Sequence, residues 1–168
     1  MMPPLIAGLF HTLKRNVGVP AQAEVTTAAL RGLDGKPAAI EDHVGNGQWC
    51  VVVIWATTCH LCATEIPKYG AYYASEPEPK FSIVGVSLDG LARKSAIVET
   101  MARWNMGFPS LVAEIPDFQL AYRHPTKASH YDTPTFMLFN PSGQLMKLDL
   151  GPVWIAALEE FIRNDSLE

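Results

Sequence analysis

Apolar residues run along this chain in two rhythms, short unbroken runs and stripes at three- and four-residue spacing, and their alternation predicts a sheet covered by helices. Trp49 to Trp55 is apolar throughout and rich in β-branched residues, which suits a central strand covered on both faces. Phe81-Ser82-Ile83-Val84-Gly85-Val86-Ser87 reads as a second buried strand. The segment between them reads as a helix, bent or ended by Pro67. After the second strand, Ile97, Val98, Met101 and Trp104 share helical spacing. Ser110 to Ala113 reads as a short strand, and Pro116-Asp117-Phe118-Gln119-Leu120-Ala121-Tyr122 as a helix with proline near its first position. Residues 135–139 and 144–150 form a predicted antiparallel hairpin around Asn140-Pro141-Ser142-Gly143. Gly151-Pro152 opens a last helix whose apolar face is Trp154, Ile155, Leu158, Phe161 and Ile162. Upstream, Gly32-Leu33-Asp34-Gly35-Lys36-Pro37 predicts a tight hairpin, with short edge strands around Val25 and Ala38 and a turn at Asn46-Gly47. Early βαβ units followed by a β-hairpin and a helix imply an α/β fold, a mixed central sheet with helices on both faces.

Composition narrows the class. The chain has 168 residues, 48% of them hydrophobic and 18% charged, which suffices for one packed core over residues 21–168, preceded by an arm or short helix over residues 1–20. A net charge of −4 without a Lys/Arg cluster makes nucleic acid an unexpected partner. Leu5-Ile6-Ala7-Gly8-Leu9-Phe10 is short, and its basic residues Lys14 and Arg15 follow it, the reverse of signal-peptide charge order. A bilayer span needs about 20 apolar residues, so no membrane span is expected. What remains is a cytosolic protein or one whose leader or anchor has been removed. A monomer is expected.

The chemistry concentrates where the first buried strand ends. Trp55-Ala56-Thr57-Thr58-Cys59-His60-Leu61-Cys62 places a Cys-x-x-Cys pair at the start of a helix. Two thiols at that spacing can close and reopen a small disulfide ring, carrying two electrons. The first turn of a helix offers unpaired N–H groups and the positive end of the dipole, which stabilise a thiolate. Cys59 is therefore the expected nucleophile, and Cys62, deeper in the helix, the resolving thiol. His60 lies between them and is the tuning residue: its imidazolium favours the Cys59 thiolate and makes the disulfide more oxidising. One unit of thiol pKa is about 30 mV for a two-electron couple, so His60 alone cannot turn a strong reductant into a strong oxidant. Zinc would need further thiolate or imidazole ligands, and the chain has only three cysteines, so neither a metal nor another cofactor is expected. Cys50, inside an apolar strand, reads as a small buried hydrophobe.

The ordered set Asp34-Gly35-Lys36, Trp55-Ala56, Cys59-x-x-Cys62, Glu65-Ile66-Pro67, Gly85-Val86-Ser87, Phe108-Pro109, Thr133-Pro134-Thr135-Phe136 and Ser142-Gly143 resembles the thioredoxin fold, and within it the TlpA/ResA/CcmG group of thiol-disulfide oxidoreductases. The resemblance implies a thioredoxin-like three-layer fold and a protein disulfide reductase or oxidoreductase, working more as a reductant. It implies catalytic roles for Cys59, Cys62 and Glu65, the last as a buried acid that accepts the Cys62 proton. Without the resemblance, Glu65 reads as a solvated glutamate on nearly the same helix face as Cys62. The resemblance also makes Pro134 a cis-proline facing the dithiol, Thr133 a substrate-contact residue whose backbone pairs with an incoming peptide, and Trp55 a second tuning residue. Implied partners are protein thiols or disulfides and an upstream redox partner, and the implied compartment is the periplasm or cell envelope. The chain departs from the group's pattern at Thr58, where Trp is frequent, and at Leu61, where Pro is frequent.

Two other readings compete. Cys62-Ala63-Thr64-Glu65-Ile66 also resembles the peroxidatic-cysteine turn of peroxiredoxins, but the Thr usual three residues before that cysteine is Cys59 here. A redox-fold binding module or copper carrier would draw on Cys59, Cys62 and a histidine such as His60 or His130.

Overall fold

In the computed structural model, residues 30–114 and 132–166 are described. The N-terminal arm, the strand expected around Val25, the helix expected over residues 116–122 and His130 lie outside the described residues. The first hairpin is the predicted one: strands β1 (Leu30–Arg31) and β2 (Pro37–Ala38) flank the turn, which Gly35 closes at φ 83°. Then follow β3 (Trp49–Trp55), helix α1 (His60–Ser75), β4 (Phe81–Ser87), α2 (Lys94–Arg103), β5 (Ser110–Ala113), β6 (Thr135–Phe139), β7 (Leu145–Leu150) and α3 (Ile155–Asp165).

The strands form one seven-stranded mixed sheet in the order β2-β1-β5-β4-β3-β6-β7. β3, β4 and β5 run parallel, each joined to the next through a helix, whereas β6 lies antiparallel to β3 and β7 antiparallel to β6. Strand β3 is buried along its whole length, and its residues alternate between two cores. Trp49, Val51, Val53 and Trp55 face a cluster with Cys62, Ile66 and Tyr69 of α1, Ile97 of α2, and Leu158 and Ile162 of α3. Cys50, Val52 and Ile54 face the other side, with Val84, Val86, Met137, Leu30 and Ile40. A continuous apolar run is thus what a strand covered on both sides requires.

Three sequence expectations change. Of the two outcomes expected at Pro67, a bend or an end, the end does not occur, since α1 continues to Ser75. The proline costs the helix the bond to the Ala63 carbonyl, but Ala63 is exposed while Cys62, Ile66 and Tyr69 pack in the core, and this packing outweighs the lost bond. Val98 points outward and Thr100 takes the buried place beside Ile97. The last helix begins at Ile155, with Trp154 as its N-cap and 75% exposed, outside the apolar face. Gly151, at φ 86°, turns the chain and donates its N–H to the Pro134 carbonyl (2.8 Å), which holds the segment before α3 against the loop that opens β6.

Candidate active site

The carboxyl ends of β3 and β4 are side by side in a parallel sheet, the position where loops following the strands converge in open α/β folds. From β3 the chain enters a β-turn, Ala56 to Cys59, closed by the Cys59 N–H on the Ala56 carbonyl at 3.1 Å. This turn delivers Cys59 as the N-cap of α1, in extended conformation. Its Sγ accepts the backbone N–H of Cys62 at 3.0 Å, the cap bond from the third helical residue. Cys59 and Cys62 are joined by a disulfide, with Cα atoms 5.2 Å apart. Cys59 is half-buried and Cys62 has 0% exposure, so one sulfur faces outward and the other lies in the core.

Across from the pair, the Thr133 carbonyl oxygen lies 3.3 Å from the Cys59 sulfur, and the Thr133–Pro134 peptide bond is cis. The sequence-predicted residues Cys59, Cys62, Thr133 and Pro134 therefore converge at one point. His60, the first residue of α1, is exposed beside them. Trp55 is fully buried, donates Nε1–H to Ser110 Oγ at 3.1 Å and packs on Trp104 with ring centroids 5.5 Å apart. Its ring belongs to the same core cluster as Cys62.

Glu65 is buried on the face of α1 that carries Cys62, and the exposed Lys68 reaches back over it, with Nζ 2.9 and 3.0 Å from its two carboxylate oxygens. The pair lines a shallow depression with Tyr69, Val153, Trp154 and Ile155. Tyr69 closes its inner side and donates its hydroxyl to the Val153 carbonyl at 2.8 Å. Burial, with the negative charges of Glu65 and Asp149 adding to it, raises the Tyr69 phenol well above the usual tyrosine range. Lys68 was legible only as a residue three positions from Glu65, the spacing of neighbours on a helix.

Asp89 was not anticipated at all. It follows β4, its side chain is 3% exposed, and it accepts the Thr57 N–H at 2.8 Å, the Thr57 hydroxyl at 2.6 Å and the Ser87 hydroxyl at 2.7 Å, with Arg93 Nη1 at 3.6 Å. The signal was in the register: Trp55 pairs with Ser87, so the residue two beyond each strand end lies opposite its counterpart. Among the described residues no group of three or more His, Cys, Asp or Glu side chains is arranged to hold a metal ion. No described helix is long and apolar enough to cross a membrane.

Comparison with known proteins agrees with this geometry. A family model described as the AhpC/TSA family matches residues 21–148. Sporulation thiol-disulfide oxidoreductase A of Bacillus subtilis (strain 168) is 23% identical over 133 residues, 79% of this chain and 75% of that protein. A secreted Mycobacterium tuberculosis disulfide oxidoreductase homologous to E. coli DsbE superposes with a TM-score of 0.62 at 17% identity, covering 84% of this chain and 98% of the other. A thiol:disulfide interchange protein of the thioredoxin family from Chlorobium tepidum gives 0.60 at 22% identity, over 82% and 94% of the two chains. The mixed seven-stranded sheet is thus the thioredoxin-like fold expected from the sequence.

Proposed function

The chain belongs to the AhpC/TSA family, and from that premise we propose that it is a thiol-disulfide oxidoreductase that exchanges its Cys59/Cys62 pair with cysteines of partner proteins. The observation that carries this reading is the disulfide at the helix tip, with one sulfur outward, one sulfur buried and the Thr133 carbonyl beside the outer one. The names of two similar proteins, a thiol-disulfide oxidoreductase and a thiol:disulfide interchange protein, support the same reading.

In the reducing direction the Cys59 thiolate attacks a partner disulfide, forming a mixed disulfide and releasing one partner thiolate. Cys62 then loses its proton and attacks Cys59 Sγ. The second partner thiolate leaves, and two electrons have passed to the partner as the internal disulfide closes. Glu65, one turn beyond Cys62 on the buried face of α1, is the group assigned to accept that proton. The Cys62 N–H and the positive end of α1 stabilise the Cys59 thiolate both as attacking and as leaving group. Thr133 offers its backbone to an extended partner segment, His60 and Trp55 tune the pair from outside and inside, and an upstream dithiol protein restores the reduced state. Net reduction of partners is the assigned direction and the cell envelope the assigned location, both on the group resemblance, and the secreted state of one structural neighbour supports the second.

The peroxiredoxin alternative places the attacking thiol at Cys62 in an open peroxide pocket. Here Cys62 is enclosed and its sulfur is bonded to residue 59, so the dithiol reading is favoured.

Cys62→Ser tests the proposal. The variant, reduced and presented with a disulfide-bonded protein, is expected to accumulate a mixed disulfide through Cys59, detected as a reducible adduct by mass; Cys59→Ser/Cys62→Ser forms none. Absence of the adduct with the single variant overturns the proposal. Direction is read from the reduction potential: a value near the about −270 mV of thioredoxin supports a reductant, and one near the about −120 mV of DsbA an oxidant.

A further inference from the structure

We propose that Asp89 is a positioning residue for Cys59, holding the turn that carries the outer sulfur to the tip of α1 when the disulfide is open. While the disulfide is closed, Cys59 is tethered to the helix through Cys62. Once the dithiol forms, that tether is gone, and Cys59 is held from two sides, by the Ala63 N–H on its carbonyl at 3.2 Å within α1 and by the turn before it, which sets how its Sγ sits over the Cys62 N–H. Thr57 is the second residue of that turn, and Asp89 takes both of its donors, the backbone N–H and the hydroxyl, on separate carboxylate oxygens.

The carboxylate is itself fixed. The oxygen that receives the Thr57 N–H also receives the Ser87 hydroxyl, whose oxygen accepts the Asp89 N–H at 3.2 Å. Arg93 approaches the other oxygen and balances the charge. The Leu88 N–H extends the ladder onto the Trp55 carbonyl at 2.9 Å, so the base of Asp89 is anchored to the last residue of β3. Hydrogen bonds to an ionised, nearly enclosed acceptor are among the stronger ones, and two of them on one turn residue make a rigid hinge plate. The contact runs between adjacent parallel strands, across 32 positions of sequence, and reaches no closer to the sulfurs than the turn.

The inference rests on Cys59 being the attacking thiol, but its test reads that thiol alone and needs no partner protein. In the Cys62→Ser background, alkylation of Cys59 by iodoacetamide is followed against pH in Thr57→Val, Thr57→Ser and Asp89→Ala. His60, Glu65 and the backbone N–H of residue 62 persist in each. Thr57→Val removes only the hydroxyl bond and no charge. A loosened cap exposes less of the sulfur to the helix N–H groups, so Thr57→Val and Asp89→Ala are both expected to shift the profile to higher pH and slow neutral alkylation by about three- to tenfold. Thr57→Ser, which returns the hydroxyl, recovers the original profile, and the Thr57→Val/Asp89→Ala double variant is no slower than Asp89→Ala. An unmoved profile in Thr57→Val overturns the proposal. So does a shift to lower pH in Asp89→Ala, the sign of lost negative charge alone, or full additivity in the double variant. If Asp89→Ala fails to fold, judged by its circular dichroism, the two Thr57 variants decide.

Discussion

The three cysteines of this chain have three different environments, and their reactivity follows from these. Cys59 caps a helix with its sulfur toward an N–H group, Cys62 is enclosed beneath it, and Cys50 lies in β3 on the opposite face of the sheet. Burial pushes the Cys50 thiol up, a Ser82 contact offsetting it only in part. In the reduced, folded protein, alkylation at neutral pH is therefore expected to mark Cys59 first and to leave Cys50 unmodified until denaturant is added. Peptide mapping after a brief pulse checks this; early modification of Cys50 contradicts it. The two cysteines of the proposed dithiol were readable because spacing and helix physics act locally. Asp89 and Lys68 were not, because their meaning lies in partners: Asp89 acts on a residue in another loop, and Lys68 acquires a role only once Glu65 is known to be buried.

Among the elements, α1 carries the dithiol, and what fixes its placement is close approach as much as apolar area. Gly70 faces the end of α2, where Asn105 turns the chain at φ 54°. A Cβ at Gly70 would fall on the backbone oxygen of Asn105, well inside van der Waals contact, and a backbone atom cannot swing aside. Alanine normally gains about 1 kcal/mol over glycine inside a helix, but overpacking costs about 1–3 kcal/mol, so the clash is expected to win. Gly70→Ala should lower the urea midpoint with little change in slope; a raised midpoint would show that α1 can slide away from α2. Strands and helices with strong periodicity were predicted close to their observed places. The failures came where a tertiary contact overrules a local rule. Pro67 is carried inside α1 by the core beneath it, and Trp154, which its spacing placed on the apolar face, stands as the exposed N-cap just after the segment that Gly151 ties to Pro134.

For the whole molecule, buried acidic protons set the alkaline limit of stability. Cys50, Tyr69 and Tyr72 are all raised, chiefly by removal from water, so the folded chain keeps protons that the unfolded chain releases. Their stabilisation is complete below the unfolded values, about 8.5 for cysteine and 10 for tyrosine, and is lost as pH climbs beyond them. Urea midpoints are expected to hold steady to about pH 8 and then fall toward pH 11; a flat profile over that range would mean that these groups ionise freely in the fold. The architecture also bears on how the protein meets its partners. Under the proposed exchange, because Cys62 has no surface of its own, a donor of electrons and an acceptor both call at the single atom Cys59 Sγ. The two visitors cannot be present together, so each turnover is a strict alternation in which one guest departs before the next is received, whichever way the electrons travel.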